Sequence, residues 1–441
     1  VLVRAGAGGL LPPLMLALYF TFSRSGIGAA LAGMAIFMIF TGDRIRAIPP
    51  LLIAAGGGAI LIAAASGKGA LEDGLVGPIA QSQGDGLMML TLAVFVAVAV
   101  IHGGISWVLT ERTRPRWLSP TKGESQVIVG VAVVVALLVA IVAGGPGQVS
   151  DSWQEFKSKE APGNESSRLG SAAGNGRYQY WSSASDQLSS KPIGGTGSGT
   201  FEYWWARNGS IPGFVRDTHS LYFQTAGELG VVGMLLLLGF LGVVICGVAY
   251  RAIRASRRRR SQIAAALAGC VAFCVAAGFD WTWQIAAIPI AFLMLSAAML
   301  AAGDKTSSGS LPWYGRGMVA VAGVIALVAI AVPLASNTEI RQSQSQARAG
   351  NNSAALSSAR TAIDIQPSAA TPYLQEALVL ELQGNLAPAA ASARRATEKE
   401  PTNWRTWFVL SRIEAERGRV GASIDAFREA QRLNPRALLL Q

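Results

Sequence analysis

Charged residues, histidine and cysteine are all scarce in this sequence. Only 14% of the 441 residues are charged, whereas a soluble protein has about a quarter, so a cytosolic globular enzyme is not expected. The cysteines fall inside apolar runs, which argues against a disulfide framework or a zinc site. The two histidines, His102 and His219, show no metal-ligand spacing. We therefore predict neither a metal nor any other cofactor.

Long apolar runs are abundant instead. A helix needs about 20 mostly apolar residues to cross a bilayer, because its backbone finds no water there. Hydrophobic residues make up 51% of the chain. Runs that meet this test, the shorter ones loosely, lie at 5–22, 27–42, 48–65, 87–109, 126–144, 221–249, 262–279, 284–302 and 317–335. The sequence thus predicts an all-α, polytopic membrane helix bundle over residues 1–335.

The net charge of +11 is unevenly divided among the loops. Basic residues concentrate in every second loop, which is typical of cytoplasmic loops; they include Arg44, Arg46, Arg112, Arg114, Arg116, Lys122, Arg251 and Arg254. The quartet Arg257–Arg260 follows a predicted span directly, and we interpret it as an orientation signal rather than a nucleic-acid or anionic-lipid patch. This pattern predicts a cytoplasmic N-terminus, an extracytoplasmic C-terminus and one large outer loop at 145–220.

The region 336–441 contains a repeat with a period of 34 residues. Four registers share that period: Gly350, Gly384 and Gly418; Ala362, Ala396 and Ala430; Pro367, Pro401 and Pro435; and Tyr373 and Trp407. In tetratricopeptide repeats a small residue packs one helix against the next, a glycine lies in the turn between the two helices, and a proline follows the second helix. The sequence matches this pattern. We predict a short, extracytoplasmic α-solenoid whose concave face binds a protein partner.

The outer loop carries aromatic and glycine-rich stretches. Aromatic residues such as Trp181 and Tyr203 suit either stacking on sugar rings or packing at a membrane interface. Gly195 and Gly197 would either bring backbone amides to an anion or form a flexible linker.

Several ionisable groups on the predicted outer face are candidates for chemistry. Arg24 lies between the first two spans, Arg177 and Arg216 lie in the outer loop, and His219 stands just before the sixth span. Asp280 falls at the next outer turn. Four of them have a plain structural alternative: interface snorkelling for Arg24, a loop ion pair for Arg177, a helix cap for His219 and a helix end for Asp280.

Together these elements resemble the O-antigen ligase/polymerase family. The resemblance covers roughly residues 10–300 and rests on the order and spacing of SRSG at 23–26, RYQYW at 177–181, PIGGTGSGTF at 192–201, and HSLY at 219–222 with GELGVVG at 227–233. DWTW at 280–283 and the repeats resemble actinobacterial-type members. Family members often have Asn where this chain has Ser220. Most have further N-terminal spans, so we expect a truncated chain.

The resemblance implies a metal-independent glycosyltransferase of the bacterial plasma membrane. Such enzymes transfer a glycan from a polyprenyl diphosphate carrier to a glycan, lipid or protein acceptor on the outer face. Arg24 and Arg177 would neutralise the leaving diphosphate, and His219 would take the acceptor proton. Substrate-binding roles fall to Arg216, Trp181, Gly195, Gly197, Tyr203 and Asp280.

A second hypothesis is a non-catalytic, transporter-like or scaffolding membrane protein. Its repeats would dock a cell-envelope complex. Transporters often contain internally repeated spans and broken or polar helices near mid-membrane, and the sequence offers little of either. Nucleic-acid binding is disfavoured because the basic runs are separated by membrane spans.

Overall fold

The computed structural model describes residues 1–42, 44–111, 145–159, 169–301 and 312–440. Within these ranges the regular structure is helical and no strand occurs, which confirms the predicted all-α class. The α-helices, in chain order, are α1 Leu2–Phe20, α2 Arg24–Phe40, α3 Arg44–Ala65, α4 Gly69–Glu72, α5 Pro78–Glu111, α6 Gly145–Lys157, α7 Arg177–Ser190, α8 Phe201–Asn208, α9 Leu221–Arg254, α10 Arg257–Phe279, α11 Ala287–Ala301, α12 Trp313–Arg348, α13 Asn352–Ile365, α14 Ala370–Leu382, α15 Leu386–Lys399, α16 Trp404–Glu416 and α17 Val420–Leu433. Short 3-10 helices lie at Thr282–Gln284 and Leu438–Leu440.

Six of these helices contain stretches long and apolar enough to cross a membrane. The stretches are Leu2–Phe20, Ala47–Ala65, Pro78–Trp107, Leu221–Arg254, Arg259–Phe279 and Trp313–Arg348. Two further apolar helices, α2 and α11, are shorter, with 17 and 15 residues. Eight of the predicted runs therefore fall on apolar helices, and the run at 126–144 lies outside the described residues.

The chain forms two compact units. The first unit comprises Val1–Gly197 and Asp217–Gly303, and the second comprises Ser198–Arg216 and Asp304–Gln441. Residues 198–216 of the predicted outer loop thus belong to the same unit as the C-terminal helices. The predicted domain boundary at residue 335 falls inside α12, which runs on without interruption to Arg348.

Close helix packing holds the first unit together. Helix α1 packs on α3 and α5, while α10 packs on α2, α9 and α11. Glycines permit these approaches: a Cβ added to Gly57 would lie 2.9 Å from the ring of Pro12, and one on Gly33 would lie 3.0 Å from the Ala268 carbonyl oxygen. Such contacts are typical of helices packed in lipid, where small residues let backbones come together.

Helix α9 is broken at Gly230, whose φ of 66° and ψ of −166° are not helical. The break frees backbone amides that would otherwise bond within the helix. Val231 N donates to the Pro192 carbonyl at 2.8 Å and Val232 N to the Ile193 carbonyl at 3.3 Å. The glycine-rich stretch before α8 therefore fills the break and satisfies its hydrogen bonds.

The second unit contains three consecutive helix pairs, α12 with α13, α14 with α15, and α16 with α17. The first helix of each pair is followed by Gly350, Gly384 or Gly418, with φ of 77°, 75° and 72°, values that favour glycine. The alanines of the 34-residue register, Ala362, Ala396 and Ala430, are each fully buried. The helix pairs thus follow the period seen in the sequence.

Candidate functional site

A cavity of about 640 Å³ lies in the first unit, at the ends of four apolar helices. It is lined by residues after α1, at the start of α2, before α9 and at the end of α10. Four predicted site residues share this lining: Arg24, Arg177, His219 and Asp280. Residues more than 250 positions apart in the sequence are therefore brought to one opening.

Arg24 is the first residue of α2. The helix begins here because Ser23 caps it: the Ser23 hydroxyl accepts a hydrogen bond from Gly26 N at 3.0 Å. The guanidinium of Arg24 donates from Nη2 to the carbonyl of Ala173. This contact joins the turn between α1 and α2 to the loop that leads into α7.

Arg177 is likewise the first residue of a helix, α7, and it follows Gly176 in the left-handed conformation. Its Nε donates to the Phe279 carbonyl at 2.8 Å. Its Nη2 lies 3.7 Å from Asp280 Oδ2, and both side chains are largely buried, with 21% and 16% exposed. Arg177 and Asp280 thus form an ion pair, and both residues line the cavity.

Asp280 links the two arginine-bearing turns. Its Oδ2 accepts from the Ser25 hydroxyl at 3.3 Å as well as facing Arg177, and its Oδ1 accepts from Trp281 N at 2.8 Å. One carboxylate therefore orients the residue beside Arg24 and the guanidinium of Arg177.

His219 is paired with the carboxylate of Asp217, which is not among the predicted site residues. Its Nδ1 lies 3.0 Å from Asp217 Oδ1, and its backbone N donates to the same oxygen at 2.9 Å. A histidine that donates Nδ1–H to a carboxylate presents Nε2 with a free lone pair, which is the arrangement of a general base. An Asp two residues before a His at a helix start is the sequence signal for this turn.

The backbone of His219 is held in an uncommon conformation, with φ of 55°. Buried hydrogen bonds enforce it: the Thr218 hydroxyl donates to the Ser220 carbonyl at 2.7 Å and accepts from Ser220 N at 3.2 Å. Ser220 caps α9, since its side chain accepts a hydrogen bond from Phe223 N. The imidazole also lies 5.5 Å from the ring of Tyr180, whose pKa is raised by burial.

The cavity is suited to an anion. Two guanidinium groups line it, and each stands at a helix N-terminus, where backbone amides carry partial positive charge. Arginine binds phosphate oxygens through two parallel hydrogen bonds. Among the described residues, no group of three or more His, Cys, Asp or Glu side chains is placed to hold a metal ion.

The remaining predicted residues lie elsewhere. Trp181 packs behind the cavity: its ring stacks on Phe223 at 5.1 Å and its Nε1 donates to the Thr218 carbonyl at 3.1 Å. It supports the turn that carries His219 and does not line the opening. Arg216 and Tyr203 belong to the second unit.

The backbone amides of Gly195 and Gly197 make hydrogen bonds within the protein. Gly195 N donates to the Lys191 carbonyl at 3.0 Å, and Gly197 N donates to the Glu228 carbonyl at 2.8 Å. A Cβ on Gly195 would lie 2.2 Å from the backbone carbonyl oxygen of Glu228. Both amides are engaged by the protein, because the glycine-rich stretch packs into the break of α9.

Comparison with known proteins supports a ligase-like membrane protein. The O-antigen ligase family model, Wzy_C, matches residues 82–238. This stretch includes Arg177, Asp217 and His219, while Arg24 and Asp280 lie outside it. No curated protein matches the chain. The family match and the apolar helices together indicate a multi-pass membrane protein similar to O-antigen ligases.

Proposed function

We propose that this protein is a membrane glycosyltransferase that moves a glycan from a polyprenyl diphosphate carrier to an acceptor hydroxyl. The observation that carries the proposal is one cavity lined by Arg24, Arg177 and His219. It combines cations for a diphosphate with a base for a hydroxyl, and these are the groups that such a transfer requires.

The proposed reaction is a displacement at the anomeric carbon of the donor sugar. The acceptor oxygen forms the new glycosidic bond while its proton passes to Nε2 of His219. The bond between the anomeric carbon and the carrier's diphosphate oxygen breaks, and its electron pair leaves with the diphosphate. Arg24 and Arg177 stabilise the negative charge that develops there, in a partly closed site where such contacts are stronger than in water.

Asp217 and Asp280 position these groups. Asp217 holds the imidazole so that Nε2 is available, and it stabilises the imidazolium formed after proton transfer. Asp280 restrains Arg177 through their ion pair. A restrained guanidinium loses less side-chain freedom when it binds the donor, so the site is preorganised.

We place the cavity at the outer surface of the bacterial plasma membrane. The ends of α1 and α10 and the starts of α2 and α9 meet there, so all four helices would reach the same side of a bilayer. The distribution of basic loops assigns that side to the exterior. The N-terminus is then cytoplasmic, and the helices that follow α12, which we assign to tetratricopeptide repeats, are extracytoplasmic.

A transporter-like role has one observation in its favour, the break in α9 at Gly230. In transporters, the amides and carbonyls freed by such a break bind the cargo. Here Val231 and Val232 donate to the carbonyls of Pro192 and Ile193, so the break serves packing. The glycosyltransferase proposal accounts for more of the site.

The proposal is tested by transfer assays with a polyprenyl-diphosphate-linked glycan in membranes. We expect His219→Ala to lower the rate about 10²- to 10⁴-fold, the range for loss of a general base. Arg177→Ala should lower it about 10²- to 10³-fold through lost charge stabilisation. His102→Ala and Arg254→Ala are matched controls away from the cavity and should transfer at the wild-type rate. Wild-type rates in both site variants would contradict the proposal.

A further inference from the structure

The cavity of the first unit contains an open indole that the proposed chemistry does not use. Trp181, which the sequence offers for stacking on a sugar, packs behind the cavity against Phe223. A different tryptophan, Trp281, lines the opening. It is 46% exposed, so part of its surface is free for a ligand.

The backbone of Trp281 is fixed beside the ion pair of the site. Its amide donates to Asp280 Oδ1 at 2.8 Å, and its carbonyl accepts from Gln284 N at 2.9 Å, at the start of the 3-10 helix that follows. The other carboxylate oxygen of Asp280 lies 3.7 Å from Arg177 Nη2. The indole therefore stands on a hydrogen-bonded turn, one residue from the carboxylate that restrains the guanidinium.

A second aromatic residue lies on the other side of Asp280 in the chain. Phe279 also lines the cavity and is 47% exposed. Its ring lies 5.8 Å from that of Trp181, and its carbonyl accepts from Arg177 Nε at 2.8 Å. The wall at the end of α10 thus consists of an aromatic residue, a carboxylate and a second aromatic residue, next to a guanidinium. Such a wall suits a pyranose, because the C–H bonds of that ring form an apolar face while its hydroxyls lie at the edge.

The connectivity of the donor brings a sugar to this wall. Its anomeric carbon is bonded directly to a diphosphate oxygen, so a diphosphate held by Arg24 and Arg177 keeps the first sugar ring next to the guanidinium groups. The face of an aromatic ring carries partial negative charge and attracts the hydrogens of C–H bonds. We propose that Trp281 binds the first sugar of the donor, a pyranose, by stacking on its C–H face. The inference rests on the proposed function and adds a sugar subsite to it.

The competing role for this indole is anchoring at the membrane interface, where tryptophan is enriched. Trp153 is the matched control for that role. It belongs to the same unit, lies in the predicted outer loop and is 51% exposed, but it is outside the cavity lining. Loss of an interface anchor should affect every lipid-linked ligand alike, whereas loss of a sugar contact should affect only a ligand that carries a sugar.

The test compares two ligands on the full-length protein: polyprenyl diphosphate carrying one glucose or galactose, and the same polyprenyl diphosphate without a sugar. We expect wild type to bind a sugar-bearing lipid about 5- to 20-fold more tightly than the bare one. Trp281→Ala should bind both equally, with the affinity for the bare lipid unchanged. Trp281→Phe, which keeps a ring face, should retain most of the difference, and Trp153→Ala should retain all of it.

The bare lipid also reports whether the variant is folded, because it needs the arginines and not the indole. A sugar-dependent gain that persists in Trp281→Ala overturns the inference, as does equal weakening of both ligands or the absence of any gain in wild type. In transfer assays, Trp281→Ala should raise donor KM about 5- to 20-fold with little change in kcat, since the contact is made before the reaction as well as during it. If the binding pattern holds while wild type transfers no glycan, the sugar subsite stands and the proposed function fails.

Discussion

The pairing of Asp217 with His219 leads to a quantitative prediction. Asp217→Asn keeps the size of the side chain and an oxygen that can accept from the His219 backbone amide, but it removes the negative charge beside Nδ1. The neutral amide can also donate to Nδ1. In that case the proton of the imidazole moves to Nε2, and the nitrogen that should accept the acceptor's proton is blocked.

The magnitude follows from the geometry of the pair. The Nδ1 to Oδ1 distance of 3.0 Å is that of a hydrogen bond to a charged group, which contributes about 1.5–3 kcal/mol. Each 1.4 kcal/mol corresponds to about a tenfold change in rate. We therefore expect kcat to fall about 10- to 150-fold, with little change in donor KM, because Asp217 does not line the cavity.

Initial rates of transfer should be measured at saturating donor for Asp217→Asn, His219→Ala and the double variant. Asp186→Asn is the matched control, because Asp186 is exposed on α7. The double variant should be no slower than His219→Ala alone, since two residues that act as a unit are not additive. Additive losses, or a wild-type rate in Asp217→Asn, would refute the idea that Asp217 acts through His219.

Two further predictions concern stability. Gly195→Ala should destabilise the first unit by about 2 kcal/mol or more, because φ is 68° and the new Cβ would lie 2.2 Å from the backbone carbonyl oxygen of Glu228. Gly194→Ala is the control, since a Cβ there meets nothing within 4 Å, and its melting temperature in detergent should equal that of the wild type. Equal melting of the two variants would contradict the packing described. Burial, with the carboxylates of Glu400 and Glu202 nearby, raises the pKa of the Tyr203 phenol, so the folded state holds that proton above about pH 10, where the unfolded chain loses it. The stability that this group contributes is present below about pH 10 and is lost as the pH rises further. Tyr203→Phe should therefore melt with a weaker pH dependence between about pH 9 and 11, and an unchanged dependence would argue against a partly buried Tyr203 phenol.

Much of the fold could be predicted because a bilayer constrains a chain so strongly. Apolar runs of sufficient length have few alternatives to helices, and most of the predicted runs fall on helices. The boundary at residue 335 was harder to place. The apolar composition ends there, but nothing in the sequence stops the helix, and α12 continues to Arg348.

The site was only partly predictable, for reasons that differ between residues. Arg24, Arg177, His219 and Asp280 stand out because ionisable groups near a membrane are few and costly. Asp217 was missed, since its role depends on a turn with positive φ at His219 that residue types alone do not specify. The packing of Gly195 against the break in α9 could not be predicted, because an anion-binding loop and a tightly packed loop require the same residue.

The central claim is that one cavity holds the donor diphosphate through arginines and activates the acceptor through His219. Donor binding and transfer, measured separately on the same membranes with a labelled polyprenyl-diphosphate glycan, test it most directly. We predict that Arg177→Ala binds the donor at least about tenfold more weakly, whereas His219→Ala binds it as wild type does and transfers almost none. Normal donor binding in Arg177→Ala together with normal transfer in His219→Ala would contradict the account.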